Sequence, residues 1–205
     1  MSDQSKGILV HFIGYPISVL GPGNRVGIWL QGCTIKCKNC IAPESWDFDT
    51  KKFVSFNDIK EKLHHYSKYA PDGVTISGGE PFDQPSELLI LLKIIDKLKY
   101  ASVMVYSGYP FEYLSHTYGA HLNFIDILVT EPFKVNETDK KLWRGSDNQK
   151  MHVISSRAKK LFDEYELNQL EYPNERELQI FALSDSIFIA GIPKRSDLVE
   201  LRNFQ

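Results

Sequence analysis

The stretch GPGNRVGIWLQGCTIKCKNC, residues 21–40, decides how the rest of the chain is read. It holds Cys33, Cys37 and Cys40, the only three cysteines among 205 residues. A structural zinc site takes four protein ligands, so three thiols would need a histidine to complete one. The candidates are His11, His64, His65, His116, His121 and His152, and none stands at finger-like spacing from the cysteines. Iron–sulfur cubanes are usually held by four thiolates. A cubane held by three keeps one iron open to a small molecule, and CxxxCxxC without a fourth cysteine fits that arrangement. Inert buried thiols are the remaining alternative, but TIKCKNC is too polar for it. The expected reading is a [4Fe-4S] site on Cys33, Cys37 and Cys40, with a non-catalytic zinc-binding module as the rival from another class.

Composition sets the frame. Lys and Arg number 24 against 26 Asp and Glu, a net charge of −2, and 42% of residues are hydrophobic. That is the profile of an ordinary globular protein, without the basic excess of a nucleic-acid binder. The longest apolar runs, such as LLILL at 88–92, fall far short of a membrane span. The polar start MSDQSKG lacks a signal-peptide apolar region. A cytoplasmic protein that engages neither nucleic acid nor membrane is expected.

Working outward from the cysteines, RVGIWLQG reads as a buried strand ending just before Cys33. GILVHFIGYP supplies a shorter extended run before it. Ser55 followed by Asp58 resembles a capping box, and Phe56, Ile59, Leu63 and Tyr66 recur at helical spacing behind it. GVTISGGEP reads as a strand running into glycines. Asp83 and Pro85 open a second helix with an apolar face of Leu88, Leu91, Leu92, Ile95 and Leu98. ASVMVYSG is a strand, residues 111–118 a short helix, and FIDILVT and MHVIS two further strands. The intervening residues 131–150 carry no period and read as a long loop, a kind that is commonly functional. This alternation predicts an α/β fold with a mostly parallel sheet. ELQIFAL and SIFIAGIP flank a Ser-Asp turn and predict a hairpin, with SDLVELRNF as a last helix. The expected division is a core over 1–163 and a hairpin-and-helix elaboration of the same domain over 164–205.

GCTIKCKNC resembles the cluster loop of radical S-adenosylmethionine (SAM) enzymes, and SGGEP at 77–81 is similar to their GGE motif. GPG-x-R leading into QGC resembles the glycyl-radical activating enzymes. LWRGSDNQK at 142–150 is similar to a segment of the anaerobic ribonucleotide reductase activases. The resemblance runs from about residue 10 to residue 155. Two features depart from it: Ala42 stands where the reductase activases commonly have asparagine, and the tail is longer. Asn39 stands where many superfamily members carry an aromatic residue, which the reductase subgroup usually lacks too.

The resemblance implies a partial (β/α)6-type barrel and a radical SAM oxidoreductase. Its [4Fe-4S] cluster reductively cleaves SAM to a 5′-deoxyadenosyl radical, which makes a glycyl radical on a partner enzyme. It also implies a flavodoxin- or ferredoxin-type electron donor. A radical SAM enzyme acting on another peptide or small molecule is the alternative within that chemistry. Gly78, Gly79 and Glu80 are the expected holders of the SAM amino group, and Ser107 a partner for its carboxylate. Asn39, Arg144, Asn148 and His152 are candidate SAM or substrate contacts, with Gln149 beside them. A side chain at Gly79 should weaken SAM binding and spare the cluster. Three strand ends, before Cys33, at Gly78 and at Ser107, should share one rim, where parallel α/β sheets place ligands.

Overall fold

The computed structural model describes residues 6–173, 175–184, 186–194 and 197. Its centre is a seven-stranded sheet. In chain order the elements are β1 (Gly7–Ile17), β2 (Arg25–Leu30), β3 (Phe53–Ser55), α1 (Phe56–Ser67), β4 (Gly73–Gly78) and α2 (Pro85–Lys97). There follow β5 (Val103–Tyr106), α3 (Phe111–Thr117), α4 (Gly119–Leu122), β6 (Ile127–Thr130), β7 (Lys150–Val153) and α5 (Glu164–Gln169). A separate hairpin of β8 (Gln179–Ala182) and β9 (Ile187–Ala190) lies beyond them. The predicted last helix at 196–204, apart from Asp197, and Asp185 of the hairpin turn lie outside the described residues.

The sheet order is β3-β1-β2-β4-β5-β6-β7. Only the four central strands, β2, β4, β5 and β6, run parallel to one another. β1 is antiparallel to both β2 and β3, and β7 is antiparallel to β6. The expectation of a mostly parallel sheet is therefore corrected to a mixed one. The cause at one side is connection length: residues 18–24 are too few for a parallel crossover, which takes a dozen or more.

Strand alternation divides the core in two. Val26, Ile28, Val74, Ile76, Val103 and Val105 face the helices and share a cluster with Ile59 and Leu63 of α1 and Leu88 and Leu92 of α2. Ser55 caps α1, accepting from the Asp58 amide at 3.1 Å and donating to its carboxylate at 2.7 Å. On the opposite face, Met104, Ile127, Val129, Met151 and Val153 pack with Leu167 of α5. The hairpin covers the β1–β2 part of that face, where Phe188 stacks on Phe12 at 4.0 Å and meets the edge of Trp29 at 4.8 Å. β2, covered on both sides, is buried at every residue, as a central strand should be.

Arg25 sews the amino-terminal ends of the parallel strands together. It is fully buried. Its Nε donates to Thr75 Oγ1 at 2.7 Å, its Nη1 to Ser102 Oγ and the Pro22 carbonyl, and its Nη2 to the carbonyls of Val74 and Ser102. Burial pulls its pKa down to about 10, with Tyr106, Asp126 and Asp72 opposing, so it stays charged at neutral pH. An unmade buried hydrogen bond costs about 1–3 kcal/mol. Arg25→Met is therefore expected to lower stability by about 3 kcal/mol or more, and Arg25→Lys, with fewer donors, to rescue it only in part. Urea unfolding of the three proteins checks this.

Candidate functional site: the rim of cysteines and glycines

The cysteine loop begins where β2 ends, and its return is zipped to its own start. The Gly32 amide donates to the Ser45 carbonyl at 2.7 Å, and the Cys33 amide to the Trp46 carbonyl at 2.9 Å. Inside the loop, Gln31 Nε2 donates to the carbonyls of Glu44 and Asp47. Gln84, from the turn before α2, reaches back to the carbonyls of Gln31 and Leu9. Asp83 takes the Thr34 amide at 2.6 Å and the Tyr109 hydroxyl at 2.7 Å. Gln31, Gln84 and Tyr109 were not singled out from the sequence, and Asp83 was read only as a helix start. Only Gln31 carried a signal, as the Q of the QGC motif.

The glycine motif meets this loop directly. The Gly79 amide donates to the Leu30 carbonyl and the Glu80 amide to the Gly32 carbonyl, both at 2.8 Å. Gly78 has a φ of +100°, and a Cβ there would lie 2.4 Å from the Leu30 backbone. A Cβ on Gly79 would lie 2.1 Å from the Gly32 carbonyl oxygen. Both positions thus require glycine. A side chain at Gly79 pushes against the residue next to Cys33, so the expectation that such a substitution spares the cysteine loop is corrected.

Glu80 is buried beneath the rim. Its Oε1 accepts from the Phe82 amide at 3.0 Å and from Ser107 Oγ at 2.9 Å, while Oε2 accepts from the Gly108 amide at 2.7 Å. Burial pushes its pKa up to about 7, resisted by those three donors. The Ser107 hydroxyl also accepts from the Tyr109 amide at 3.1 Å. Glu80 therefore ties the exit of β4 to the exit of β5, and Ser107 spends its proton on that tie.

A cavity of about 160 Å³ lies on the hairpin side of this rim. Asn39 and Cys40 border it from the cysteine loop, Ser77 and Gly78 from β4, and Trp29 and Tyr106 from β2 and β5. None of the three cysteines is in a disulfide. Burial raises the pKa of Cys33, against the amides of Lys36 and Ile35, and Glu80 and Asp83 raise it further. Burial likewise raises Cys37, with the Phe133 amide pulling the other way. Such thiols ionise readily only beside a cation, which suits iron. Trp46, whose carbonyl holds Cys33, also keeps a buried indole N–H with no protein partner. Among the described residues no three His, Cys, Asp or Glu side chains are gathered to hold one metal ion. A cubane asks for less convergence, since each thiolate takes a different iron.

Three other candidates point elsewhere. Arg144 is buried, and its guanidinium donates to Asn168 Oδ1 and to the Leu142, Leu167 and Leu170 carbonyls, closing the end of α5. His152 faces the helix side, stacked on Phe111 at 4.2 Å and bonded to Thr130 Oγ1 at 3.1 Å. Its neighbours Met151 and Val153 face the other way. Asn148 Nδ2 donates to the Pro132 carbonyl, shaping the long loop. Gln149 holds the Gly145 amide and the Glu131 carbonyl and does border the cavity.

Comparison with known proteins agrees with this geometry. The family described as "4Fe-4S single cluster domain" matches residues 19–152. The anaerobic ribonucleoside-triphosphate reductase-activating protein of Enterobacteria phage T4 is 33% identical over 141 residues, 67% of this chain and 89% of that protein. Its namesake in Haemophilus influenzae is 32% identical over 151 residues, covering 67% of this chain and 94% of that one. That of Escherichia coli K12 is 26% identical over 153 residues, covering 68% and 96%. Among solved structures, QueE from Escherichia coli overlaps 50% of this chain and 51% of its own at a TM-score of 0.36 and 23% identity, too loose to bear on detail. With relatives covered almost end to end and the cysteine loop inside the matched region, this chain belongs to the family of anaerobic ribonucleoside-triphosphate reductase-activating proteins, a radical SAM family built on a 4Fe-4S domain.

Proposed function

We propose that this protein binds SAM beside a [4Fe-4S] cluster held by Cys33, Cys37 and Cys40, and makes a glycyl radical on anaerobic ribonucleoside-triphosphate reductase. The observation that carries the reading is the single cavity bordered by both Cys40 and Gly78. The cluster, once reduced by a flavodoxin- or ferredoxin-type donor, supplies the electron that splits SAM into methionine and a 5′-deoxyadenosyl radical. The chain's own residues bind, orient and shelter. Gly78 and Gly79 offer backbone without side chains, where the SAM amino group can approach. Glu80 keeps Ser107 and Gly108 in place beside it. Asn39 and Gln149 border the same space. Arg144, Asn148 and His152 shape its supports, the first two through the long loop. The four parallel strands and their helices form the partial barrel of this chemistry over residues 1–163, with 164–205 as an elaboration of the same domain.

Anaerobic reconstitution with iron and sulfide, dithionite reduction and addition of SAM is expected to yield 5′-deoxyadenosine. With the reductase present it should yield a glycyl-radical signal by electron paramagnetic resonance. Cys37→Ala is expected to lose the iron, since the chain has no spare thiol. Stoichiometric zinc without iron in anaerobically purified protein would overturn the reading. Gly79→Val is expected to lose both SAM binding and iron, as the contact with Gly32 requires.

Glu80 gives a pH signature. Its folded pKa, about 7, lies above the ordinary 4.5, so the native state holds the proton more tightly. Stability from this group is then greatest below pH 4.5 and lost as pH rises through about 7. Relative to Glu80→Gln, the apoprotein should lose on the order of 3 kcal/mol across that window. Denaturation midpoints of both proteins at several pH values measure it; parallel profiles would refute the buried carboxylate.

A further inference from the structure

The cavity has a wall that the family match does not reach. Gly191, Ile192 and Pro193 border it, facing Cys40 and Gly78, whereas the matched region ends at residue 152. We infer that this C-terminal segment, clasped by Arg176, is part of the SAM-binding site and closes over the adenosyl portion of the ligand. The inference rests on reading the cavity as the SAM site.

Three features hold the segment in place. Phe181 and Phe188 seat the hairpin on Phe12 at 5.2 and 4.0 Å. Gly191, at a φ of +118°, turns the chain from β9 toward the cavity; a Cβ there would lie 2.8 Å from Leu178. Arg176 then joins the tail to the long loop. Its Nη1 donates to the Pro193 carbonyl at 3.1 Å, and its Nη2 pairs with Asp139 of the long loop at 3.1 Å. The guanidinium also lies over the Tyr172 ring at 4.2 Å. One arginine, its side chain 8% exposed, thus ties the tail to the loop that brings Phe133 and Gln149 to the cavity.

The chemistry of the walls orients the ligand. Asn39 of the cysteine loop and the backbone of Ser77 and Gly78 offer polar groups, which suit the charged groups of an amino acid. Trp29, Ile41, Ile192 and Pro193 supply the apolar remainder, suited to the flat face of a purine. Excluding water there protects a reactive radical.

The test uses anaerobically reconstituted full-length protein. Wild type, Arg176→Met and Ile192→Asp are compared for iron content, for binding of labelled SAM by equilibrium dialysis, and for the change SAM makes in the electron paramagnetic resonance spectrum of the reduced cluster. Both variants are expected to keep their iron and to bind SAM about tenfold or more weakly, a loss of at least about 1.4 kcal/mol. Ile180→Asp, on the outward face of the hairpin and 68% exposed, should bind as wild type does. Unchanged affinity in both variants overturns this inference and leaves the proposed function standing. Iron lost along with SAM binding overturns it too, by showing a structural role only. A wild type that holds iron but no SAM overturns both.

Discussion

Two hydrogen bonds beyond the end of a parallel strand pair set the rest of this structure. The Gly79 amide to the Leu30 carbonyl, and the Glu80 amide to the Gly32 carbonyl, carry the β2–β4 ladder past the last paired residues, Leu30 and Gly78. They hold the cysteine loop against the glycine motif at backbone contact distance. That closeness is possible only without side chains, as the 2.1 Å position of a Cβ on Gly79 shows. Everything functional here follows from joining one strand's exit to the next strand's exit.

The two ends of the same strands are treated in opposite ways. At the amino ends, Arg25 satisfies five oxygens and is itself satisfied, closing the sheet with a fixed polar knot. At the carboxyl ends, Glu80 also bridges neighbouring strands, but as a buried carboxylate pushed toward neutrality. The first arrangement contributes stability. The second holds a carboxylate where burial opposes its charge, an arrangement that functional sites favour.

Much of the site was legible because its signals are local. Three cysteines in eight residues and a double glycine after a strand need no tertiary knowledge to be seen. What the pattern did not give depended on faces and directions. His152 was a candidate contact, and Met151 and Val153 on either side of it face the α5 side of the sheet, so period-two alternation places His152 opposite them. Arg144 lies in a polar stretch that reads as solvated, and nothing local announces that it turns inward to close α5. Strand direction is invisible to hydrophobic pattern. The short residues 18–24 betrayed β1 as antiparallel, but the long interval before β7, residues 131–149, allowed either sense.

The cavity shows why the long loop and the tail resist reading by motif. Its walls come from the cysteine loop, from the long loop at Phe133 and Gln149, and from residues 191–193. These segments share no pattern, and Arg176, which reaches both Asp139 and Pro193, ties the last two together. A cluster loop and a glycine motif can hold a cofactor, but they leave one side open to water. A protein that generates a reactive species must cover that side with whatever chain it has. Here residues 191–193 border the cavity, carried there by a hairpin whose inner aromatics are spent on β1 and β2. Its sequence answers to packing and its position answers to chemistry.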